Sequence, residues 1–173
     1  MLQDVTIREA RSEDLPALTR IYNQAIEDGA TADTVAYTIA ERQGWFQAHR
    51  DPNYPLYVAE GDDGVVAYAT LSKYREGRPA VRTTVEISYY VAREHRRRGL
   101  GRALLRHAES AARSLGFRHG YALLLDNNIS SVHLLEKLGW ARWGHFPGIA
   151  TVHGETCGHL VYGRSLADEP TSS

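Results

Sequence analysis

A single cysteine, Cys157, leaves the chain without a partner for an intramolecular disulfide and without a multi-cysteine zinc site. No run of about 18 apolar residues occurs, so no segment reads as a membrane-spanning helix. Met1-Leu2-Gln3-Asp4 lacks the charged-then-apolar opening of a signal peptide, and a cytoplasmic protein is the expectation. Charge of one sign is also missing: 20 Lys and Arg face 21 Asp and Glu, for a net charge of -1. That balance argues against a general nucleic-acid binder and against a polybasic membrane anchor. No internal repeat, low-complexity stretch or Pro/Ser-rich linker interrupts the interior. The 173 residues therefore read as one domain, 1–166, with a loose tail at 167–173. Phenylalanine is scarce, three against ten tyrosines, which favours aromatic rings with hydrogen-bonding tips.

What is present is ordinary globular material, 43% hydrophobic and 24% charged. Alternation predicts a short strand over 5–10, and helical spacing from Leu15 to Ile26 predicts a helix capped by Ser12 or Asp14. A second helix is expected over 39–49. Strands follow over 56–59 and 65–71 around an Asp62-Asp63-Gly64 turn, and a long β-branched strand over 81–92. Leu100, Ala103, Leu104, Ala108, Ala111 and Leu115 mark a helix face ended by Gly116. A buried strand over 121–125, a helix over 130–138 and closing strands over 140–146 and 159–163 complete a mixed α/β sheet with helices on both faces.

The charge balance hides one local excess. Six arginines lie between Arg93 and Arg106, with Glu94 the only acid among them. They surround a junction where a strand ends, a glycine turn follows and a helix starts. Unpaired N–H groups and a positive dipole at a helix start, with glycines permitting close approach, make a pyrophosphate cradle. Gly99-x-Gly101 is followed by Leu104, so the three-glycine dinucleotide fingerprint is absent, and no Gly-Lys-Ser/Thr of a nucleotide P-loop occurs. By itself the junction also fits a helix start with a solvated basic face.

Arg96-x-x-Gly99-x-Gly101 resembles the acyl-CoA pyrophosphate motif of the GNAT N-acetyltransferase superfamily. Further segments resemble its phosphinothricin and methionine-sulfone branch: Ile7-Arg8, Asp14-Leu15-Pro16-Ala17 and Ile21-Tyr22-Asn23; Glu41-Arg42 with Trp45 and Phe46; Thr84-Val85-Glu86 with Ser88, Tyr90 and Val91; Asn128 with Ser131; and Leu134, Glu136 to Gly139 and Trp140. The resemblance covers nearly the whole chain. It implies a GNAT-type, mostly antiparallel twisted sheet, acetyl-CoA as co-substrate without a metal, a small-molecule amine acceptor and a homodimer.

By that resemblance, backbone amides from Arg97 through Arg98, Gly99, Leu100 and Gly101 to Arg102 hold the pyrophosphate, with Arg96 heading the motif. Tyr89, Tyr90 and Val91 pair with the pantetheine arm like an added strand, and one of their N–H groups polarises the thioester carbonyl. Asn128 bonds the pantetheine, with Ser131 beside it. Glu86 removes the proton of the acceptor ammonium, directly or through water. Tyr74, Arg75 and Arg82 fall where the acceptor is met, arginine being suited to carboxylate or phosphinate; solvated loop residues are the other reading of these three.

Three departures stand out. Leu135 occupies the helix position where the superfamily often has Tyr and this branch His, leaving Tyr90 or solvent to protonate the thiolate. His153-Gly154-Glu155-Thr156-Cys157-Gly158 replaces the family's aromatic closing segment, and Ala30-Thr31-Ala32 lacks the usual aromatic. A reshaped acceptor pocket is expected. His145, His153 and His159 match no metal-ligand spacing, and Cys157 reads as packed rather than nucleophilic. The leading reading is an N-acetyltransferase for a small, amino-acid-like amine. A protein-terminus acetyltransferase and a non-catalytic CoA sensor are the alternatives.

Overall fold

The computed structural model describes residues 5–167. Seven strands join one sheet in the order β1-β2-β3-β4-β5-β7-β6. In chain order the elements are β1 (Thr6–Glu9), α1 (Leu15–Glu27), α2 (Ile39–Ala48), β2 (Leu56–Gly61), β3 (Gly64–Lys73) and β4 (Thr84–Val91). There follow α3 (Leu100–Ser114), β5 (His119–Leu125), α4 (Ile129–Lys137), β6 (Ala141–Val152) and β7 (Glu155–Ser165). Every neighbouring pair is antiparallel except β4 and β5, which are parallel and joined through α3. This is the mixed, mostly antiparallel sheet expected from the sequence.

The alternation of strand side chains sorts the core into two layers. Leu100, Leu104, Leu105, Ala108 and Ala112 of α3 pack with Ala69, Leu71, Val85 and Ile87, and Leu135 of α4 joins them. On the other face Leu15, Leu18 and Ile21 of α1 and Phe46 of α2 meet Leu56, Val58, Tyr68 and Ala92. Each fully buried leucine or isoleucine contributes about 1.5–3 kcal/mol of transfer free energy. A buried polar link ties the α3 layer to the start of β6: Trp140 Nε1 donates to Glu109 at 2.6 Å, and Arg164 stands 3.5 Å from the same carboxylate.

Several boundaries move. β4 begins at Thr84 rather than at 81, because Pro79–Val81 form a 3-10 turn closed by the Arg82 N–H on the Pro79 carbonyl at 3.2 Å; Pro79 fixes its own φ and offers no ladder donor. The buried stripe of α3 runs through Leu105 and Ala112, and Leu115, just past the helix end, is 39% exposed. The closing strands are not two short pieces but a hairpin of 12 and 11 residues. Pro147 and Gly148 lie within a register shift between Phe146 and Ala150 on the edge strand, so they bulge the strand instead of ending it. His153 and Gly154 form the turn, both at positive φ (51° and 83°), the mirror-image geometry that suits a two-residue hairpin. Of the expected tail, 168–173 lies outside the described residues.

Asp14 does not cap α1. It is 7% exposed and bound by Arg8 at 2.7 and 3.0 Å and by the Arg11 N–H at 2.7 Å, while Arg8 also holds Glu60 at 2.7 Å. Burial alone would push the Asp14 carboxyl up, but the Arg8 and Arg11 hydrogen bonds outweigh it and hold it below the ordinary 3.8. A depressed folded value means that the stabilisation is complete above the unfolded value and is lost as pH falls below it. Asp14→Asn is therefore expected to cost about 2 kcal/mol at pH 7, or roughly 4–8 °C in Tm. In thermal melts the gap from the parent should shrink below about pH 4; a gap independent of pH would contradict this role.

Candidate functional site

Parallel pairing of β4 with β5 runs only through Thr84–His119, Val85–Gly120 and Glu86–Tyr121. Beyond that point β4 stays with β3 and β5 stays with β7. The sheet opens there like a V. Residues 86–90 of β4 and 122–125 of β5 line a cavity of about 310 Å³, with Asn128, Ser131 and Leu135 of the α4 region on one side and Ala30–Asp33 after α1 on the other. The edge of β4 that faces the opening has no strand partner, so backbone N–H and C=O groups around Tyr89 and Tyr90 could pair with an extended ligand.

At the vertex Glu86 is half-buried. Its carboxylate accepts from Tyr121 Oη at 2.5 Å and from Ser88 Oγ at 3.4 Å. Burial and the Glu86 carboxylate hold the Tyr121 hydroxyl well above its ordinary value of 10. Glu86, Ser88 and Tyr90 alternate onto the α1–α2 face, where Tyr90 meets Tyr22 edge-on at 5.1 Å and stacks near Tyr68 at 5.1 Å. A second cavity of about 340 Å³ opens on that face, and it shares Glu86, Ser88 and Tyr90 with the first.

α3 starts at the far end of β4. Gly99 is its N-cap at φ 85°, a left-handed conformation that glycine adopts without strain, and no side chain caps the helix. The first N–H groups of α3 are therefore left for solvent or a ligand. Gly101 answers a second demand, since a Cβ there would lie 3.2 Å from Leu134 and 3.7 Å from the Tyr89 ring. The arginines divide. Arg93 binds Glu27 at 3.0 Å and Asp28 at 2.7 Å, and Arg96 binds Asp28 at 2.6 Å and the Val91 carbonyl at 3.2 Å. Burial would raise the Asp28 carboxyl, but these two guanidinium groups hold it below its ordinary value. Arg97, Arg98 and Arg102 are exposed and make no ion pair among the described residues. Arg97 takes a positive φ of 61° beside them. An unpaired helix start, three uncommitted cations and a free strand edge fit a ligand that carries a pyrophosphate on an extended amide arm.

The sequence profile of the acetyltransferase (GNAT) family matches residues 15–140. The chain belongs to that family. It is 40% identical to YwnH of Bacillus subtilis (strain 168) over 164 residues, covering 94% of this chain and 100% of that one. It is 35% identical to an L-methionine sulfoximine/L-methionine sulfone acetyltransferase of Pseudomonas paraeruginosa over 153 residues, 86% of this chain and 87% of that one. A phosphinothricin acetyltransferase from Sinorhizobium meliloti, solved in complex with acetyl-CoA, superposes with a TM-score of 0.90 at 30% identity. That match covers 99% of this chain and 93% of the other.

The fold of this GNAT-family chain brings Glu86, Tyr89, Tyr90, Asn128 and Ser131 to one cleft. Asn128 is the N-cap of α4: its Oδ1 accepts from the Ser131 N–H at 3.3 Å and from Ser130 Oγ at 3.2 Å. Its amide NH₂ is the donor that remains. Arg75 and Arg82 are exposed on the loop between β3 and β4 and line neither cavity. Tyr74, 42% exposed, packs edge-on against Tyr121 at 5.0 Å and so backs the Glu86 partner. Tyr121, Tyr22, Asp33, Arg42 and His159 line or support the cavities without having been singled out for the site. Arg42 and Tyr22 carried a signal, as parts of Glu41-Arg42-x-x-Trp45-Phe46 and Ile21-Tyr22-Asn23. Cys157 is buried with Leu125 and Val152, His145 binds Asp126 at 3.0 Å, and His153 Nε2–H donates to the Ile26 carbonyl at 2.9 Å. That last bond docks the altered closing hairpin on the end of α1. Among the described residues no three His, Cys, Asp or Glu side chains gather as a metal site.

The arginine division is testable by melting. Arg96→Ala should lower Tm by roughly 2–4 °C, the loss of about 1 kcal/mol from a partly exposed pair. Arg97→Ala, Arg98→Ala and Arg102→Ala should each leave Tm within about 1 °C. Equal losses at all four positions would show that the division is not real.

Proposed function

We propose that the chain transfers the acetyl group of acetyl-CoA directly to the amine of a small, amino-acid-like acceptor. The observation that carries this reading is the opening of the sheet immediately after Glu86–Tyr121. It leaves a carboxylate at the vertex, an unpaired strand edge beside it and an uncapped helix start at the end of the same strand. The named activities of the methionine sulfoximine/sulfone and phosphinothricin relatives, and the acetyl-CoA held by the Sinorhizobium meliloti protein, support it.

Bound acetyl-CoA supplies an activated thioester carbonyl. Backbone N–H groups of 97–102 hold its pyrophosphate, with Arg97, Arg98 and Arg102 adding charge. The free edge at Tyr89–Val91 and the Asn128 amide align the pantetheine arm, with Ser131 alongside, and a β4 N–H faces the thioester oxygen. Glu86 accepts the proton of the acceptor ammonium and so releases the lone pair that attacks; Tyr121 orients it. Burial, then Tyr22 and Glu86, raise the Tyr90 hydroxyl far above its ordinary value, and Leu135 is apolar and buried, so the leaving thiolate takes its proton from solvent in this scheme. A cytoplasmic location, where acetyl-CoA is available, belongs to the same reading. A protein-terminus acceptor and a sensor without turnover are not favoured, because the acceptor side is lined by Tyr22, Asp33, Tyr37 and Trp45 and the Pseudomonas paraeruginosa relative is named for acetylating small molecules.

The test is release of free thiol from acetyl-CoA with methionine sulfone, methionine sulfoximine, phosphinothricin and common amino acids as acceptors. Glu86→Gln should lower kcat on any accepted amine by about 10²–10⁴-fold, with acetyl-CoA affinity by calorimetry unchanged. No thiol release with any acceptor would overturn the proposal. The reading also includes a homodimer, supported by Trp143, Phe146 and Ile149, which leave 52%, 52% and 60% of their surface exposed along β6. Sedimentation should give twice the chain mass, and Phe146→Asp should shift it to the monomer; a parent that sediments as a monomer at all concentrations would count against it.

A further inference from the structure

Arg42 on α2 is 6% exposed, and its Nε and Nη2 make no hydrogen bond. The Tyr68 hydroxyl is buried and close enough to feel the Arg42 charge, and it too has no partner of hydrogen-bond geometry. The guanidinium is clasped on its faces: its carbon lies 3.6 Å from the Trp45 ring centre, 4.3 Å from that of Tyr22 and 5.7 Å from that of Tyr37. Ring faces stabilise the cation, but they offer nothing to the N–H groups that radiate in its plane. Buried polar groups are almost always satisfied, so an orphaned guanidinium edge calls for an acceptor from elsewhere.

The carboxylates on the same wall do not supply it. Asp33 receives the Tyr22 hydroxyl and, at 3.3 Å, that of Tyr37. Glu41 is taken by the Thr38 N–H at 2.7 Å and the Thr38 hydroxyl at 2.8 Å, as the capping box of α2. Glu86 is taken by Tyr121 and Ser88. Nor does another cation share the task. Among the described residues Arg42 is the only Lys, Arg or His lining this second cavity. Nearby His49 donates Nδ1–H to the Trp45 carbonyl at 2.9 Å and has Ser72 Oγ 3.1 Å from Nε2. Burial, opposed by the bond to Trp45, holds its value below the ordinary 6.5, so it is neutral at pH 7.

We propose that Arg42, with the Tyr68 hydroxyl, is the anion-binding end of the acceptor pocket, receiving the oxyanion of an acceptor whose amine faces Glu86. The planar fork of arginine matches two oxygens of one carboxylate, and the Glu86 wall of the same cavity suits an ammonium. The acceptor class is thus a zwitterion, amine and oxyanion on one small molecule. This rests on the acetyl-transfer reading above for its amine end, but the anion end is measurable without turnover. The oxyanion comes either from an α-carboxylate or from an acidic side chain.

Trp45 lies against the guanidinium and reports ligand binding by its fluorescence. The probes are L-methionine sulfone, its α-carboxamide and the α-carboxamide of phosphinothricin, each tested for binding and for thiol release. Two charge-assisted hydrogen bonds predict that the parent prefers an oxyanion-bearing acceptor over its neutral analogue by about 100-fold in kcat/KM, carried by KM. Arg42→Gln should reduce the preference to within about threefold without changing the acetyl-CoA affinity, and Arg42→Lys should fall between. Methionine sulfone binding with both amides weak assigns the α-carboxylate; strong binding of the phosphinothricin amide assigns the side-chain group. A parent ratio within threefold, which needs no variant, overturns the inference, as does a folded Arg42→Gln protein that keeps the full preference. Oxyanion-selective binding without thiol release would leave this inference standing and remove the acetyl-transfer reading. Thiol release with equal kcat/KM on methionine sulfone, its amide and the phosphinothricin amide would do the reverse.

Discussion

The parting of β4 from β5 after Glu86–Tyr121 is the constraint on which the rest of the site depends. A parallel pair that continued in register would satisfy its own ladder and leave no room for a ligand. Here the pairing stops after Glu86–Tyr121, and each strand keeps only its antiparallel neighbour on the other side. The cost is a row of unpaired backbone groups facing the gap. The gain is a slot whose wall is already in strand geometry, with a carboxylate at its closed end. Gly120, beside the closed end, keeps the last pairs close: a Cβ there would lie 3.2 Å from Trp140 and 3.4 Å from Ile87. Trp140 is in turn held by the buried Glu109 of α3, so the helix that begins the cradle also fixes the vertex.

Electrostatics divides the molecule in a way that net charge conceals. Six arginines around one helix start looked like a single feature. Two of them are spent closing β4 against the end of α1 through Glu27 and Asp28; of the other four, Arg106 lies further along α3 and Arg97, Arg98 and Arg102 stand uncommitted at the helix start among the described residues. On the acceptor side the arrangement is reversed. A lone guanidinium sits in an aromatic cage, every neighbouring carboxylate is already bonded, and the tyrosines that outnumber phenylalanine supply the rings and hydroxyls that make the cage. The altered closing segment has a structural role: its His153 turn braces the end of α1, next to the residues 30–33 that wall the cleft.

Most of the fold could be read from the chain because its elements announce themselves locally. Alternation located β1 to β3, helical spacing located α1 and α3, and Gly116 and Gly139, both at positive φ, marked helix ends. Misreadings fell where a local signal was ambiguous. Pro147-Gly148 looks like a break and is a bulge on an edge strand, His153-Gly154 hides a mirror-image turn behind a residue that rarely adopts positive φ, and Asp14 looks like a cap and is a buried ion-pair partner. The cradle was legible for the same reason as the helices: a glycine at positive φ and a run of unpaired N–H groups are properties of a few consecutive residues.

By itself, then, the sequence determined the order of elements, the family and the helix start able to hold a pyrophosphate, since each rests on contiguous residues and backbone preference. Which side chains meet was decided only in three dimensions. Tyr121 reaches Glu86 across 35 residues because strand register sets them opposite each other at the last pair before the sheet opens. Arg42 became an unsatisfied cation only when Trp45, Tyr22 and Tyr37 closed on its faces while Thr38, Tyr22, Tyr37 and Tyr121 claimed the nearby carboxylates. No spacing rule encodes such an outcome, because a buried charge is paired or left unpaired by competition among groups that only the folded chain brings together.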